Sequence, residues 1–233
     1  LTLDKVDVFK LIDFTFSSQG LIKGDRVFNK MKTFFPDRNI EDLKIPYVAV
    51  AADITNMKEV VFTEGSIYDA VRASVAIPTV FTPAKKGNTI LVDGGVVNPI
   101  PINRVKRING DILIASYVNA NIPYDKPEII KEDAERKSSV YKQKIIEFKN
   151  KLNEILPKNS KQHLNYFTLI NKSTGLLTHH LSLMNIEKYK PDMLINISRY
   201  SCGTFDFFKA EELVEIGRQA ARKSINDYKT KFL

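Results

Sequence analysis

Cysteine is nearly absent from this chain. Cys202 stands alone among 233 residues, which excludes an intrachain disulfide and leaves the redox compartment open. No run of about 18 apolar residues occurs, so no transmembrane helix is expected. Asp4, Lys5 and Asp7 break any apolar core of a signal peptide near the start. Glycine is sparse where it would matter most. No Gly-Gly or Gly-x-Gly precedes Gly94, and Gly-x-Ser-x-Gly, the strand-to-helix elbow that presents a serine hydroxyl, occurs nowhere. Gly65-Ser66 lacks the second glycine, Ser173-Thr174-Gly175 lacks the first, and Ser17-Ser18-Gln19-Gly20 lacks the spacing. Basic and aromatic residues do not interleave and no nucleic-acid motif is legible, so no nucleic-acid partner is expected.

What is present is an ordinary globular balance, 43% hydrophobic and 27% charged, in a chain long enough for one sizeable domain. The net charge of +8 favours anionic surfaces such as acidic lipid, but only as a non-specific attraction. Along the chain, Val6, Phe9, Ile12 and Phe16 have helical spacing and predict an amphipathic helix over Lys5 to Phe16. Asp25 is positioned to cap a helix from Arg26 to Phe35, which Pro36 stops. Tyr47 to Ala52 reads as a strand buried on both faces, and Glu59 to Thr63 as a second. Ser66 with Asp69 three residues on resembles a capping box for a helix to about Val75. Thr89 to Val92 forms a strand that delivers Asp93. A short helix over Ile102–Ile108 and a fully apolar strand over Asp111–Val118 follow.

Between Lys126 and Lys161 the character changes. Ten basic and six acidic residues give a local excess of +4, and Ile145, Phe148, Leu152 and Ile155 keep helical spacing. Such a helix either packs its stripe on the domain or lies on an acidic membrane surface. Leu164–Met184 is helical in pattern and carries His179-His180, whose adjacent positions point in different directions and do not suit a metal site. Met193–Ile197 reads as a strand and Ala210–Tyr228 as a long final helix. Apolar strands alternating with helices place the chain in the α/β class.

One stretch carries chemistry: Leu91-Val92-Asp93-Gly94-Gly95-Val96-Val97-Asn98-Pro99-Ile100-Pro101, preceded by Ala73-Ser74-Val75-Ala76-Ile77-Pro78-Thr79-Val80-Phe81. A carboxylate leaves an apolar strand and meets two glycines, which can take positive φ and admit a close neighbour. Asp-Gly by itself is equally a turn signal. Together these residues resemble the patatin-like phospholipase family, which has Ala-Ser-x-Ala-Ile-Pro-x-x-Phe, an Asp-Gly-Gly or Asp-Gly-Ala motif, and Asn-x-x-Pro. The likeness extends through Ile45–Asp53, Val60-Val61-Phe62, Tyr68–Arg72 and, near the end, Pro191–Ile195.

The resemblance implies a three-layer α/β fold of patatin type with a mostly parallel central sheet. It is expected to form one domain over 1–233, with 1–120 and 190–233 as the sheet-forming core and 125–190 as a charged helical region. It further implies a lipid acyl hydrolase working through a Ser–Asp dyad, with Asp93 as the base, Gly94 and Gly95 positioning it, and a lipid or acyl-ester substrate. No metal or cofactor is implied. Because the family's serine elbow and oxyanion loop have no counterpart here, the chain is expected to be the C-terminal part of such a domain, N-terminally incomplete and inactive by itself. A catalytically inactive patatin-like interaction or membrane-surface module is the alternative. Ser74 does not replace the nucleophile, since it has no glycine neighbours, and a bond to a carbonyl one turn earlier is the ordinary expectation for it. Oligomeric state stays open. Location stays open too, among soluble, cytoplasmic and peripheral-membrane readings.

Overall fold

The computed structural model describes residues 11, 13–17, 20–124, 166–203, 206 and 209–232. In chain order its first elements are β1 (Phe14–Ser17), β2 (Gly20–Ile22), α1 (Asp25–Lys32), β3 (Ala49–Asp53), β4 (Lys58–Phe62), α2 (Ile67–Ser74), β5 (Thr79–Phe81) and β6 (Ala84–Lys86). They are followed by β7 (Thr89–Asp93), β8 (Ile114–Ala120), α3 (Tyr166–Tyr189), β9 (Met193–Ser198) and α4 (Ala210–Phe232), with 3-10 turns at Ile40–Asp42, Gly94–Val96 and Ile102–Arg104. Contacts divide the chain into two compact units, one of Leu11–Ala115 with Tyr166–Leu194, the other of Leu1–Lys10, Ser116–Asn165 and Ile195–Leu233. Sheets together with four described helices bear out the α/β class and are consistent with a three-layer fold.

In the first unit, the Ala-Val-Ala-Ala run of β3 is buried on both faces and sits inside a four-stranded sheet of order β4-β3-β7-β6. Ala49, Ala51, Ala70 and Ala73 let α2 lie close against β3, and Ile40, Phe62 and Leu91 fill the space around them. Every pairing in this sheet is antiparallel, where a mostly parallel sheet was expected. For two of the three pairings the cause is local: Ile54–Met57 turns β3 into β4, with Met57 at φ 55°, and Gly87-Asn88 turns β6 into β7. Connections this short can only join antiparallel neighbours. The pairing of β2 with β5 is parallel.

α2 starts as the capping pattern implies, since the Ser66 hydroxyl accepts from the Asp69 amide at 3.2 Å. α1 does not start as expected. Asp25 is inside the helix, Gly24 precedes it at φ 85°, and the carboxylate that takes the free amides belongs to Asp13, from Gly24 N at 2.6 Å and Arg26 N at 3.1 Å. Most of the helix expected over Lys5–Phe16 lies outside the described residues, and Phe14–Phe16 belong to β1, which pairs antiparallel with β2. The alternation Phe-Thr-Phe-Ser suits a strand as well as the longer spacing suited a helix, and a partner strand decides between them.

The helix expected over Ile102–Ile108 is a single 3-10 turn, Ile102–Arg104. β8 pairs with β9, and β8 is not uniformly apolar-buried: Ala115, Tyr117 and Ala120 point inward while Ile114 and Val118 are exposed. In the second unit the Ser198 hydroxyl donates to Ile122 O at 2.7 Å and Tyr124 OH donates to the buried Glu212 carboxylate. Burial and that carboxylate push the Tyr124 phenol above its ordinary value. α4 opens with Glu211 and Glu212 and closes with Lys229 and Lys231, the arrangement its dipole favours. The basic segment Lys126–Lys161 lies outside the described residues.

Candidate active site

β7 ends on Asp93, and the chain turns at once into the 3-10 turn Gly94–Val96. The Asp93 side chain caps that turn, its Oδ1 accepting from Gly95 N at 2.6 Å, while its own amide donates to Ala76 O at 3.0 Å. Thus the Ala73–Phe81 segment and the Asp-Gly-Gly turn, 20 residues apart at Ala73 and Asp93, meet through a main-chain bond. Among the described residues, no hydrogen bond to Asp93 Oδ2 is found. Burial pushes the Asp93 carboxyl above its ordinary value, and the Gly95 amide opposes that shift without cancelling it.

The two glycines act through space, not torsion. Neither has positive φ, and of the two capacities expected of them it is the close approach that is used. A Cβ on Gly94 would lie 2.2 Å from Val50 O, so β3 can approach the turn only because that atom is missing. A Cβ on Gly95 would lie 3.0 Å from Asp93 Oδ1, against the oxygen its own amide holds. Positive φ occurs instead at Thr79, at 72°. That conformation is costly for a β-branched residue. The Thr79 hydroxyl donates to Asn171 Oδ1 of α3 at 2.9 Å, and the turn that contains it is closed by Val80 N and Phe81 N on Ile77 O.

Downstream, Asn98 is buried and joins four elements. Its Nδ2 donates to Glu59 Oε1 at 2.7 Å and Asn103 Oδ1 at 2.9 Å, and its Oδ1 accepts from Asn185 Nδ2 at 2.9 Å. Its amide donates to Gly94 O at 2.8 Å, which ties the network to the turn carrying Asp93. Glu59 also pairs with Arg104, whose guanidinium is the main reason its carboxyl is held below the ordinary value. Sequence reading singled out Asn98 within Asn-x-x-Pro but missed Glu59, Asn103, Arg104 and Asn185. Glu59 left one faint signal, an acid at the head of an apolar strand.

Ser74 ends α2, and among the described residues no side-chain hydrogen bond from it is found, either to Asp93 or to the carbonyl one turn back. His179 and His180 have ring centroids 5.8 Å apart at an interplanar angle of 61°. Among the described residues no group of three or more His, Cys, Asp or Glu could hold a metal ion.

The sequence model of the patatin-like phospholipase family matches residues 3–105. Residues 3–105 are patatin-like. This patatin-like segment contains Asp93, both glycines, Asn98 and Glu59. An uncharacterized NTE family protein of Mycobacterium tuberculosis (strain ATCC 25618 / H37Rv) is 32% identical over 120 residues, covering 52% of this chain and 33% of that protein. A second NTE family protein, from Mycobacterium tuberculosis (strain CDC 1551 / Oshkosh), is 37% identical over 93 residues, covering 40% of this chain and 16% of that one. Patatin-like phospholipase domain-containing protein 7 of Mus musculus is 32% identical over 107 residues, 45% of this chain and 8% of the mouse protein. The chain thus spans a third or less of the length of these relatives.

Proposed function

We propose that Asp93 is the general base of a lipid acyl hydrolase of the patatin-like kind, acting with a serine as a Ser–Asp dyad. The observation that carries this reading is the state of the Asp93 carboxyl: Oδ1 fixed by Gly95 N, Oδ2 without a partner among the described residues, and burial raising its proton affinity. A desolvated carboxylate held by one oxygen can take a hydroxyl proton on the other. In the reaction Oδ2 accepts the serine proton as the serine oxygen attacks the ester carbonyl, and the proton passes to the leaving alcohol as the acyl–oxygen bond breaks. Water then attacks the acyl-serine, Asp93 takes its proton, and that proton returns to the serine as the fatty acid leaves. Donors to the oxyanion contribute about 3–4 kcal/mol each in acyl hydrolases. The patatin-like match over residues 3–105 supports a lipid ester as the substrate class.

The serine of this dyad lies in a Gly-x-Ser-x-Gly segment, which this sequence does not contain. The test therefore uses a form that carries both such a segment and the residues described here, assayed on p-nitrophenyl esters and phospholipid. Asp93→Asn is expected to keep the fold and lower turnover about 10²–10⁴-fold, the usual worth of a general base. Activity within threefold of wild type in a folded variant removes Asp93 from the reaction. That missing pattern also favours a second reading, an inactive patatin-like interaction module, and no turnover from any form carrying the serine would decide for it.

A further inference from the structure

The long helix α3 carries apolar residues on both its inner and its outer face. Toward its own unit Ser182 is buried and bonds within the helix to Thr178 O at 2.7 Å, Asn185 reaches Asn98 and Ile100 O, and Leu181 and Ile186 are half-buried. Toward solvent it presents Leu169, Leu176, Leu177, Leu183 and Met184, each 44–64% exposed. Leu169, Leu176 and Leu183 form one row at seven-residue spacing and Leu177 and Met184 a second, with the exposed Ser173, His180 and Glu187 between them. From Ser173 to Ile186 the helix carries no Asp, Glu, Lys or Arg, a length of about 21 Å at 1.5 Å per residue. Lys172 precedes this stretch, Lys188 and Lys190 follow it, all exposed, and Glu187 is the one acid among them. An exposed apolar stripe of this extent marks a binding face.

We infer that the outward face of α3 docks on an acidic lipid surface, its leucines entering the headgroup boundary and its flanking lysines meeting anionic headgroups. Charge argues for this occupant. A second copy would set a basic-ended face against itself, whereas anionic lipid complements both ends and matches the overall charge of +8. Through its other face the helix touches the 3-10 turn that follows Asp93. The docking inference rests on the lipid-hydrolase reading for its purpose, but its test needs no turnover.

The chain contains no tryptophan, so a single introduced indole is an unambiguous reporter. Leu177→Trp, mixed with vesicles of phosphatidylcholine and phosphatidylserine, is expected to shift its emission to shorter wavelength, while Met57→Trp, on the β3–β4 turn, is not. In sedimentation with the same vesicles, Leu176→Ser and Leu183→Ser are expected to weaken partition on the order of tenfold each. Lys172→Gln and Lys188→Gln are expected to weaken it about fivefold each on acidic vesicles and not on pure phosphatidylcholine. Circular dichroism and thermal melting check that each variant is folded. An unshifted Leu177→Trp spectrum overturns the inference. So does a blue shift that tracks protein concentration and a dimer mass by light scattering without lipid, which would assign the face to a second copy. So too does a loss of melting temperature in both leucine variants with no vesicle binding by the wild type, which would mean the chain itself covers the stripe.

Discussion

Asn185 Nδ2 donates to Asn98 Oδ1 at 2.9 Å, a bond between residues 87 positions apart that fastens α3 to the loop after the Asp-Gly-Gly turn. Asn98 is 7% exposed, and Asn185 also holds Ile100 O at 3.2 Å, so removing the Asn185 amide leaves two acceptors in poorly hydrated surroundings. Asn185→Ala is expected to lower stability by about 1–3 kcal/mol, the usual cost of stranding buried polar groups. Lys172→Ala, on the exposed face of the same helix, is expected to change it by less than about 0.5 kcal/mol. Urea unfolding of the two variants checks the contrast.

Gly94→Ala is expected to destabilise the protein by about 3 kcal/mol or more, because the added methyl meets the Val50 carbonyl at 2.2 Å and a main-chain atom in a buried strand cannot swing aside. Gly217→Ala provides the opposite outcome. It lies within α4 with nothing inside 4 Å of the new Cβ, so the helix gains about 0.5–1 kcal/mol. Thermal melts of both variants decide.

Asp93 and Glu59 are expected to move acid stability in opposite directions. The Asp93 carboxyl is raised in the fold by burial, so the folded state binds its proton more readily than the unfolded chain. Its destabilising effect is absent below the unfolded value, about 3.9, and grows as pH rises through the folded value. Asp93→Asn is therefore expected to gain stability relative to wild type as pH climbs from about 4 to 7. Parallel urea titrations across that range test the sign.

Glu59 is lowered, chiefly by its bond to Arg104. Its contribution is present above the unfolded value, about 4.3, and fades as pH falls through the folded one. Glu59→Gln is expected to destabilise at neutral pH and to flatten the acid limb of the stability curve. A variant that loses stability equally at every pH would exclude the ionised pair as the cause.

Ser74→Ala is expected to leave stability within about 0.5 kcal/mol, since the hydroxyl ends α2 with no side-chain bond found among the described residues. In a form with ester hydrolase activity it is expected to leave turnover unchanged as well. Loss of activity there would make Ser74, and not an elbow serine, the nucleophile.

By itself the sequence determined the parts whose cause is local. Tyr47–Ala52 is an uninterrupted apolar run of strand length, Ser66 and Asp69 write their own helix start, and Asp93-Gly94-Gly95 is conspicuous wherever it folds. The resemblance to the patatin-like family was legible for the same reason, since it rides on short contiguous motifs. The tertiary structure alone decided what depends on distant partners. Asp13 caps α1 from across a strand pair, Phe14–Ser17 becomes a strand because β2 lies beside it, and Gly94 is required because Val50 O comes too near for a Cβ. Glu59, Asn98, Asn103, Arg104 and Asn185 converge from separate elements, and no spacing along a chain announces a hydrogen bond that closes only when those elements pack. The outward stripe of α3 is the same lesson in reverse. Periodicity marks which residues share a face, but only the packing of Ser182 and Asn185 against their own unit shows that the leucines are the face left to solvent.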